Sequence, residues 1–178
     1  DGNWNGTQAG AYVTSELPNV LDSVEYGTVD SVPTMTSNTA PSGTAFATAG
    51  TAYLAFDDGV NNWSPNTVSS KIGYIYTTGK VVDKFRYKVS TGAANRALKT
   101  FAIEGSNNTT TGADGTWDVL VSYVDTTAYT YGEIVTKEFL NATSYTAYRL
   151  NIIDNQAGDI YTETSTVEFI ESTGNILL

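Results

Sequence analysis

The stretch VVDKFRYKV at residues 81–89 decides the fold class, because its side chains alternate at period two. One face collects Val81, Asp83, Phe85, Tyr87 and Val89, and the basic residues fall on the other. Alternation of this kind is typical of a half-buried β-strand and not of a helix. We expect the first face to be buried, with Asp83 needing a polar partner there.

Eight further stretches show a similar pattern and are predicted strands: 31–35, 53–57, 71–76, 100–104, 117–123, 134–139, 145–153 and 165–170. Polar turns separate them, the longest at 107–115 (NNTTTGADG). This pattern predicts an all-β domain, a sandwich or jelly roll, over residues 21–178. Residues 1–20 are rich in Gly and Asn and are predicted to be a linker or the end of an upstream module, with one short candidate strand at 11–14.

Composition excludes several classes of chemistry. The 178 residues include no His and no Cys, so disulfides, thiol nucleophiles, His-based triads and zinc sites built on Cys or His are ruled out. The formal charge is −10, which disfavours nucleic acid and anionic membrane surfaces as partners, and no apolar run is long enough to predict membrane insertion. The chain opens on Asp1, and we expect it to be a piece of a longer protein.

Four groups of segments, in order along the chain, resemble the discoidin family of galactose-binding-like jelly-roll β-sandwiches, which includes many carbohydrate-binding modules. They are 32–43 with 55–64 (AFDDGVNNWS); 72–76 with 79–82 and Phe85; 95–96 with 101–107 and 115–120; and 148–152 with 166–169. The first group resembles versions on bacteriophage tail and bacterial surface proteins. The resemblance covers about residues 31–172 and implies a location on a virion, outside the cell or on a bacterial surface.

The resemblance implies a structural Ca²⁺ ion that joins the first loop to the last strand. Its ligands would be the side chains of Asp57, Asn62 and Glu168 and the carbonyls of Leu54, Gly59 and Val167. Oxygen ligands of this kind suit calcium. The loop departs from the family pattern, since it carries a second acid, Asp58, where Gly is usual. Either Asp57 or Asp58 is therefore the ligand.

The candidate glycan-binding residues are Trp63, Lys88, Asn95, Arg96 and Tyr161. They combine an aromatic face for a sugar ring with polar groups for its hydroxyls. Galactose-binding relatives use His, Arg and Asn, whereas this chain has Ser64 at the His position and Lys88 near the Arg position, so galactose specificity is not expected. For three candidates a structural role is also open: Trp63 as a core residue, Arg96 as the partner of Glu104 or Asp118, and Tyr161 as one more of the 12 Tyr residues.

Two alternatives remain open for the charged residues. Seven of the nine basic residues lie within 71–99 and form either a contact for an anionic polysaccharide or the solvated face of two strands. A glycosidase would need a pair of acids, and the candidates are Asp154, Asp159 and Glu163. The sequence does not give the distances between their carboxyl groups, on which that chemistry depends.

The sequence thus predicts a non-catalytic module that binds a cell-surface glycan or polysaccharide, as part of a parent protein that is oligomeric. The alternatives are a structural domain that decorates a virion without binding sugar, and an enzyme that acts on polysaccharide.

Overall fold

The computed structural model describes residues 26–174. The strands are β1 (Tyr26–Asp30), β2 (Thr44–Ala47), β3 (Ser70–Lys80), β4 (Lys84–Val89), β5 (Leu98–Ser106), β6 (Asp118–Val124), β7 (Ile134–Glu138), β8 (Tyr145–Asn155) and β9 (Thr164–Gly174). Two short 3-10 helices, Ala52–Ala55 and Ala94–Arg96, lie before β3 and before β5. Within the described residues, no helix is long and apolar enough to cross a membrane.

The strands form two antiparallel sheets that pack face to face. One sheet has the order β1-β9-β4-β7, and the other has the order β2-β3-β8-β5-β6. Inward side chains of both sheets meet in an aromatic core, whose fully buried members include Phe85, Phe101, Tyr148 and Phe169. The sandwich expected from the alternating pattern is confirmed.

The alternation in β4 predicts burial correctly from Phe85 onward. Phe85, Tyr87 and Val89 are fully buried, and Asp83 has the expected partner, since the backbone N–H and the hydroxyl of Ser172 donate to its carboxylate. The pattern fails before Lys84, where strand pairing begins. There Val82 is the buried residue and Val81 is 38% exposed.

Two predicted strands are wrong. Residues 31–35 form no strand, and Pro33 within them has no N–H to donate to a sheet. This segment is instead held by single bonds, such as the one from Met35 N to the Phe56 carbonyl at 2.7 Å. The second, 53–57, overlaps the first 3-10 helix, which spans Ala52–Ala55. The candidate strand at 11–14 and the linker at 1–20 lie outside the described residues.

The long 107–115 loop folds over the outer face of the five-stranded sheet. Its Gly112 carbonyl accepts from Nη1 of Arg149 at 3.2 Å, and the Arg149 guanidinium lies 3.9 Å from the centre of the Trp117 ring. Beneath it, Nε of Arg149 donates to Glu104 at 2.5 Å, and both side chains are buried. The loop therefore covers a buried ion pair.

Candidate functional site

Four loops meet at one end of the sandwich, which we call the loop end. They are 57–69, 90–97 between β4 and β5, 125–133 between β6 and β7, and 156–163 between β8 and β9. The antiparallel pairing places them together, because Val89 pairs with Thr164 and Leu98 pairs with Asn155. Backbone bonds between Trp63 and Thr164 attach the first of these loops to the start of β9.

Glu163 joins three of these loops. Its Oε1 accepts from Nδ2 of Asn62 at 2.9 Å and from the Ser90 hydroxyl at 2.6 Å, and its Oε2 accepts from Nη1 of Arg96 at 3.4 Å. Arg96 also donates through Nε to Asp159 at 3.2 Å, and its guanidinium lies 4.6 Å from the centre of the Tyr161 ring. The loops are thus held in one arrangement by charged hydrogen bonds.

The 156–163 loop is also closed from within. The fully buried Asn155 donates through Nδ2 to the carbonyl of Asp159 at 3.1 Å, and its Oδ1 accepts from Gly158 N at 2.7 Å. The backbone N–H of Tyr161 donates to the Asp159 carboxylate, and so do Arg96 and Asn155. These donors lower the pKa of the Asp159 carboxyl, although partial burial acts to raise it. Asp159 is therefore ionised at neutral pH, as its pairing with Arg96 requires.

A groove of about 550 Å³ opens beside the second 3-10 helix, and we call it the loop-end groove. Its lining includes Asn95, Tyr129, Thr130, Tyr131 and Gln156. Tyr131 is 67% exposed, whereas Tyr129 is half-buried and its ring meets that of Tyr87 edge-on. The groove therefore has one exposed and one anchored aromatic side chain.

The loop that carries both Tyr rings is itself anchored. The Tyr129 hydroxyl donates to the buried Asp125 at 2.6 Å, and Nζ of Lys137 lies 2.7 Å from the same carboxylate. Burial acts to raise the pKa of Asp125, but donation from Lys137, Tyr129 and Thr127 holds it well below its usual value. At the turn, Gly132 has φ 71° and donates to the Val89 carbonyl, which fixes the loop to the end of β4.

The structure separates the predicted glycan residues. Asn95 is exposed and lines the groove, while Arg96 and Tyr161 pack against each other in the neighbouring loop network. Lys88 lies apart, in a smaller cavity of about 220 Å³ on the four-stranded sheet. Trp63 is 0% exposed and donates through Nε1 to the Ala49 carbonyl at 3.2 Å, so it is a core residue that offers no face to a sugar.

Sequence reasoning missed Tyr129, Thr130, Tyr131 and Gln156. The signal available was a pair of aromatic residues within a turn, in the stretch TTAYTYGE at 126–133. Arg96 pairs with neither Glu104 nor Asp118, the two partners considered from the sequence. Glu104 instead binds Arg149, and Asp118 accepts from the Tyr145 hydroxyl at 3.0 Å.

The basic residues of 71–99 are mostly paired. Lys80, Lys84, Arg86, Arg96 and Lys99 each lie within 3.4 Å of a carboxylate. This supports the interpretation as a solvated face of strands. The three acids considered for catalysis are paired as well: Lys99 binds Asp154 at 2.8 Å, and Arg96 binds Asp159 and Glu163.

In the structure, the side chains assigned to calcium accept hydrogen bonds from protein donors. The Asp57 carboxylate accepts from Gly59 N at 3.2 Å and from Nδ2 of Asn61 at 2.8 Å, within its own turn. Asn62 Oδ1 accepts from the Ser165 hydroxyl at 2.6 Å, and Glu168 accepts from Nε of Arg86 at 2.6 Å. Each of these three side chains therefore has at least one protein donor, and within residues 26–174 no group of three or more acidic side chains is arranged to hold a metal ion.

The remaining residues of that proposed shell lie on three different elements. Leu54 belongs to the first 3-10 helix, Gly59 packs against Thr166, and Val167 faces the core opposite Tyr87. Asp58, the alternative ligand, has φ 58° and accepts a hydrogen bond from the Thr34 hydroxyl. The calcium ion stays a prediction of the resemblance.

No protein-family model matches the chain, and no curated protein matches it. Solved structures do share its fold. The family 32 carbohydrate-binding module of C. perfringens NanJ, in complex with galactose, has 14% identity and a TM-score of 0.59, with 72% of this chain and 93% of that chain covered. The module CpGH89CBM32-5 from Clostridium perfringens, in complex with GalNAc-β-1,3-galactose, has 17% identity and a TM-score of 0.59, with 71% and 93% covered.

A third structure is the family 32 module of AlyQ, in complex with 4,5-unsaturated mannuronic acid. It has 14% identity and a TM-score of 0.56, with 71% of this chain and 92% of that chain covered. Identities this low show the fold alone. The protein is therefore a two-sheet β-sandwich with the galactose-binding-like fold of family 32 carbohydrate-binding modules.

Proposed function

We propose that this chain is a non-catalytic carbohydrate-binding module that binds part of a glycan in the loop-end groove. One observation carries the proposal: Tyr129 and Tyr131 line the same space as Asn95, Thr130 and Gln156. At about 550 Å³ the groove is within the range of ligand sites, roughly 300 to 1,000 Å³. Aromatic faces pack against the C–H groups of a sugar ring, and amides and hydroxyls bond to its hydroxyl groups.

Tyr131 is the side chain expected to contribute most of the affinity. It is 67% exposed in the free protein, so a sugar that covers its ring removes apolar surface from water. Tyr side chains at the centre of an interface are frequent energetic hot spots. The fixed loops around it lower the entropy that binding has to overcome.

The solved structures of the same fold support this ligand class. Two of them hold neutral sugars, galactose and GalNAc-β-1,3-galactose, and a third holds an unsaturated mannuronic acid. A role without catalysis agrees with the pairing of Asp154, Asp159 and Glu163 to cations, because a glycosidase needs two carboxyl groups free to act on one bond.

The proposed setting is the surface of a bacteriophage tail or of a bacterium, where the module presents its loop end to a cell-surface glycan. The resemblance of residues 32–43 supports this setting. A single groove of this kind binds weakly, and several copies on an oligomeric parent would raise the overall avidity.

A glycan array tests the proposal. We expect the fluorescently labelled protein to bind a coherent set of glycans, and Tyr131→Ala to weaken that binding by about tenfold or more. The matched control is Leu140→Ala, because Leu140 is also exposed (100%) but follows β7 at the opposite end of the sandwich. A blank array, or equal loss in both variants, would contradict the proposal and favour a structural domain that binds no sugar.

A further inference from the structure

The loop-end groove is lined by uncharged side chains. Its polar groups are the amides of Asn95 and Gln156 and the hydroxyls of Thr130, Tyr129 and Tyr131, and the other lining residues are Ala. An ionised group in the ligand would therefore find only neutral partners in the lining. A carboxylate needs charged or multiple N–H donors to offset the water that it loses.

The cations on the surrounding elements are already engaged with carboxylates. Arg96 is bound by Asp159 and Glu163, and its guanidinium lies over Tyr161. The other two pairs are Lys99 with Asp154 and Lys137 with Asp125, at 2.8 and 2.7 Å. To gain a salt bridge from Arg96, Lys99 or Lys137, a uronate in the groove would have to break one of these pairs.

Two charged residues, Lys88 and Glu133, lie near the rim of the groove. The Lys88 side chain lies beside Gly132, but it lines the neighbouring cavity together with Asp58 and Glu168. Glu133 is exposed, and its carboxylate accepts from Thr130 N and the Thr130 hydroxyl at 2.8 and 3.0 Å. Because Thr130 lines the groove, the charge closest to it along this loop is negative. The chain as a whole carries −10.

We infer that the loop-end groove selects uncharged glycans and rejects the corresponding uronic acids, an inference that rests on the proposed carbohydrate-binding function. The shared fold does not decide this point, since structures with this fold hold both neutral and acidic sugars. The lining decides it, because an ionised group that loses water there finds neither a cation nor a cluster of N–H donors in exchange.

Matched oligosaccharide pairs test the inference. Galactotriose and trigalacturonate of the same linkage differ at C6, which is a hydroxymethyl group in one and a carboxylate in the other. Mannotriose and trimannuronate form a second pair. We expect the neutral member of a pair to bind about tenfold more tightly than the uronate, and we expect Tyr131→Ala to abolish that binding. The difference in affinity is expected to narrow at higher salt, because salt screens the repulsion between the carboxylates and the acidic protein.

A substitution provides the complementary test. Ala128 is exposed and lines the groove, and its methyl group forms no hydrogen bond, so Ala128→Lys places a free cation there. We expect this variant to gain affinity for the uronate member, while Lys88→Gln leaves the preference of the protein unchanged. An unchanged preference in Ala128→Lys would count against a groove whose charge sets specificity.

The outcomes separate the inference from the proposed function. A uronate that binds more tightly than its neutral partner, and whose binding is lost in Tyr131→Ala, overturns the inference and leaves the module a carbohydrate-binding protein. Absence of binding to both pairs and to every other glycan on the array contradicts the proposed function, and the inference is overturned with it.

Discussion

Arg86 and Glu168 lie opposite each other in the β4–β9 pairing, and Nε of Arg86 donates to Glu168 at 2.6 Å. Glu168 is the carboxylate that the family resemblance assigns to a calcium ion. In this chain a guanidinium provides the positive charge beside it. Asp30 and Asp58 belong to the same group of charges, since Glu168, Asp58 and Arg86 all act on the ionisation of Asp30.

Because Arg86 already neutralises Glu168, we expect the melting temperature (Tm) to be the same in excess Ca²⁺ and in EDTA, measured by calorimetry. Arg86→Met, which keeps the length and removes the charge, is expected to lower the Tm by roughly 2 to 4 °C, since a partly exposed pair contributes about 1 kcal/mol. A Tm that falls in EDTA and recovers with Ca²⁺ would contradict this and show that Glu168 exchanges Arg86 for the ion.

The Asp30 carboxyl makes stability depend on pH. Burial raises the pKa of Asp30 to about 7, and the negative charges of Glu168 and Asp58 also act to raise it. The Val32 N–H and the Arg86 charge act to lower it. In the unfolded chain the pKa is near its ordinary value of about 4. Since the native state holds the proton more tightly, this contribution to stability is present at low pH and is lost as the pH rises through about 7.

We therefore expect the Tm to be higher at pH 5 than at pH 8 by roughly 5 °C. Asp30→Asn keeps an oxygen for the Val32 N–H and is expected to remove most of this difference by raising the Tm at pH 8. Carboxyls whose pKa is lowered titrate below this window: Asp114, Asp125, Asp154 and Asp159. If Asp30→Asn retains the full difference between pH 5 and pH 8, another group is responsible.

Gly112 fixes the path of the 107–115 loop. Its φ is 82°, and a Cβ at this position would overlap the ring of Phe46. We expect Gly112→Ala to lower the Tm by roughly 5 °C or more, because backbone strain and overpacking each cost about 1 kcal/mol or more. Glycan binding is expected to persist, since this loop leaves β5 at the end opposite the loop end.

Gly158→Ala is the matched control for strain alone. Gly158 has φ 66°, but a Cβ there would meet nothing within 4 Å. We expect the Tm of Gly158→Ala to fall by only about half as much as that of Gly112→Ala, because the added methyl group overlaps no neighbouring side chain. Equal losses in the two variants would mean that contact with Phe46 adds nothing.

Arg96 is expected to act by positioning the loops. Arg96→Ala removes the cation that joins Asp159 to Glu163, so we expect a lower Tm together with weaker binding of the strongest array ligand. The loss of affinity in a calorimetric titration is expected to be smaller than that of Tyr131→Ala. An unchanged Tm with abolished binding would instead place the Arg96 guanidinium on the sugar.

The sandwich could be predicted because its central strands carry their pattern locally. In β4, β5, β8 and β9, apolar side chains point to the core, and the sequence shows them at regular intervals. The edge strands β1 (YGTVD) and β2 (TAFA) were missed, because at five and four residues they are too short to show a clear alternating pattern. Their pairing is determined by partners distant in sequence, Tyr26 with Gly174 and Thr44 with Ile75.

The groove was harder to predict than the fold. The sequence places Asn95 between two predicted strands, and in the structure it is exposed and lines the groove. In the sequence Tyr129 and Tyr131 look like turn residues, and only the folded arrangement of the loops places them in one groove with Asn95 and Gln156. The sequence of one loop does not show which other loops it contacts in the folded protein.

The most direct test of the central claim is a ¹⁵N NMR titration of the protein with the strongest array ligand. We predict that the largest shift changes fall on Asn95, Thr130, Tyr131 and Gln156, including the side-chain amides of Asn95 and Gln156. Changes confined to the opposite end, around Phe139 and Leu140, would contradict a binding site at the loop end, as would an unchanged spectrum.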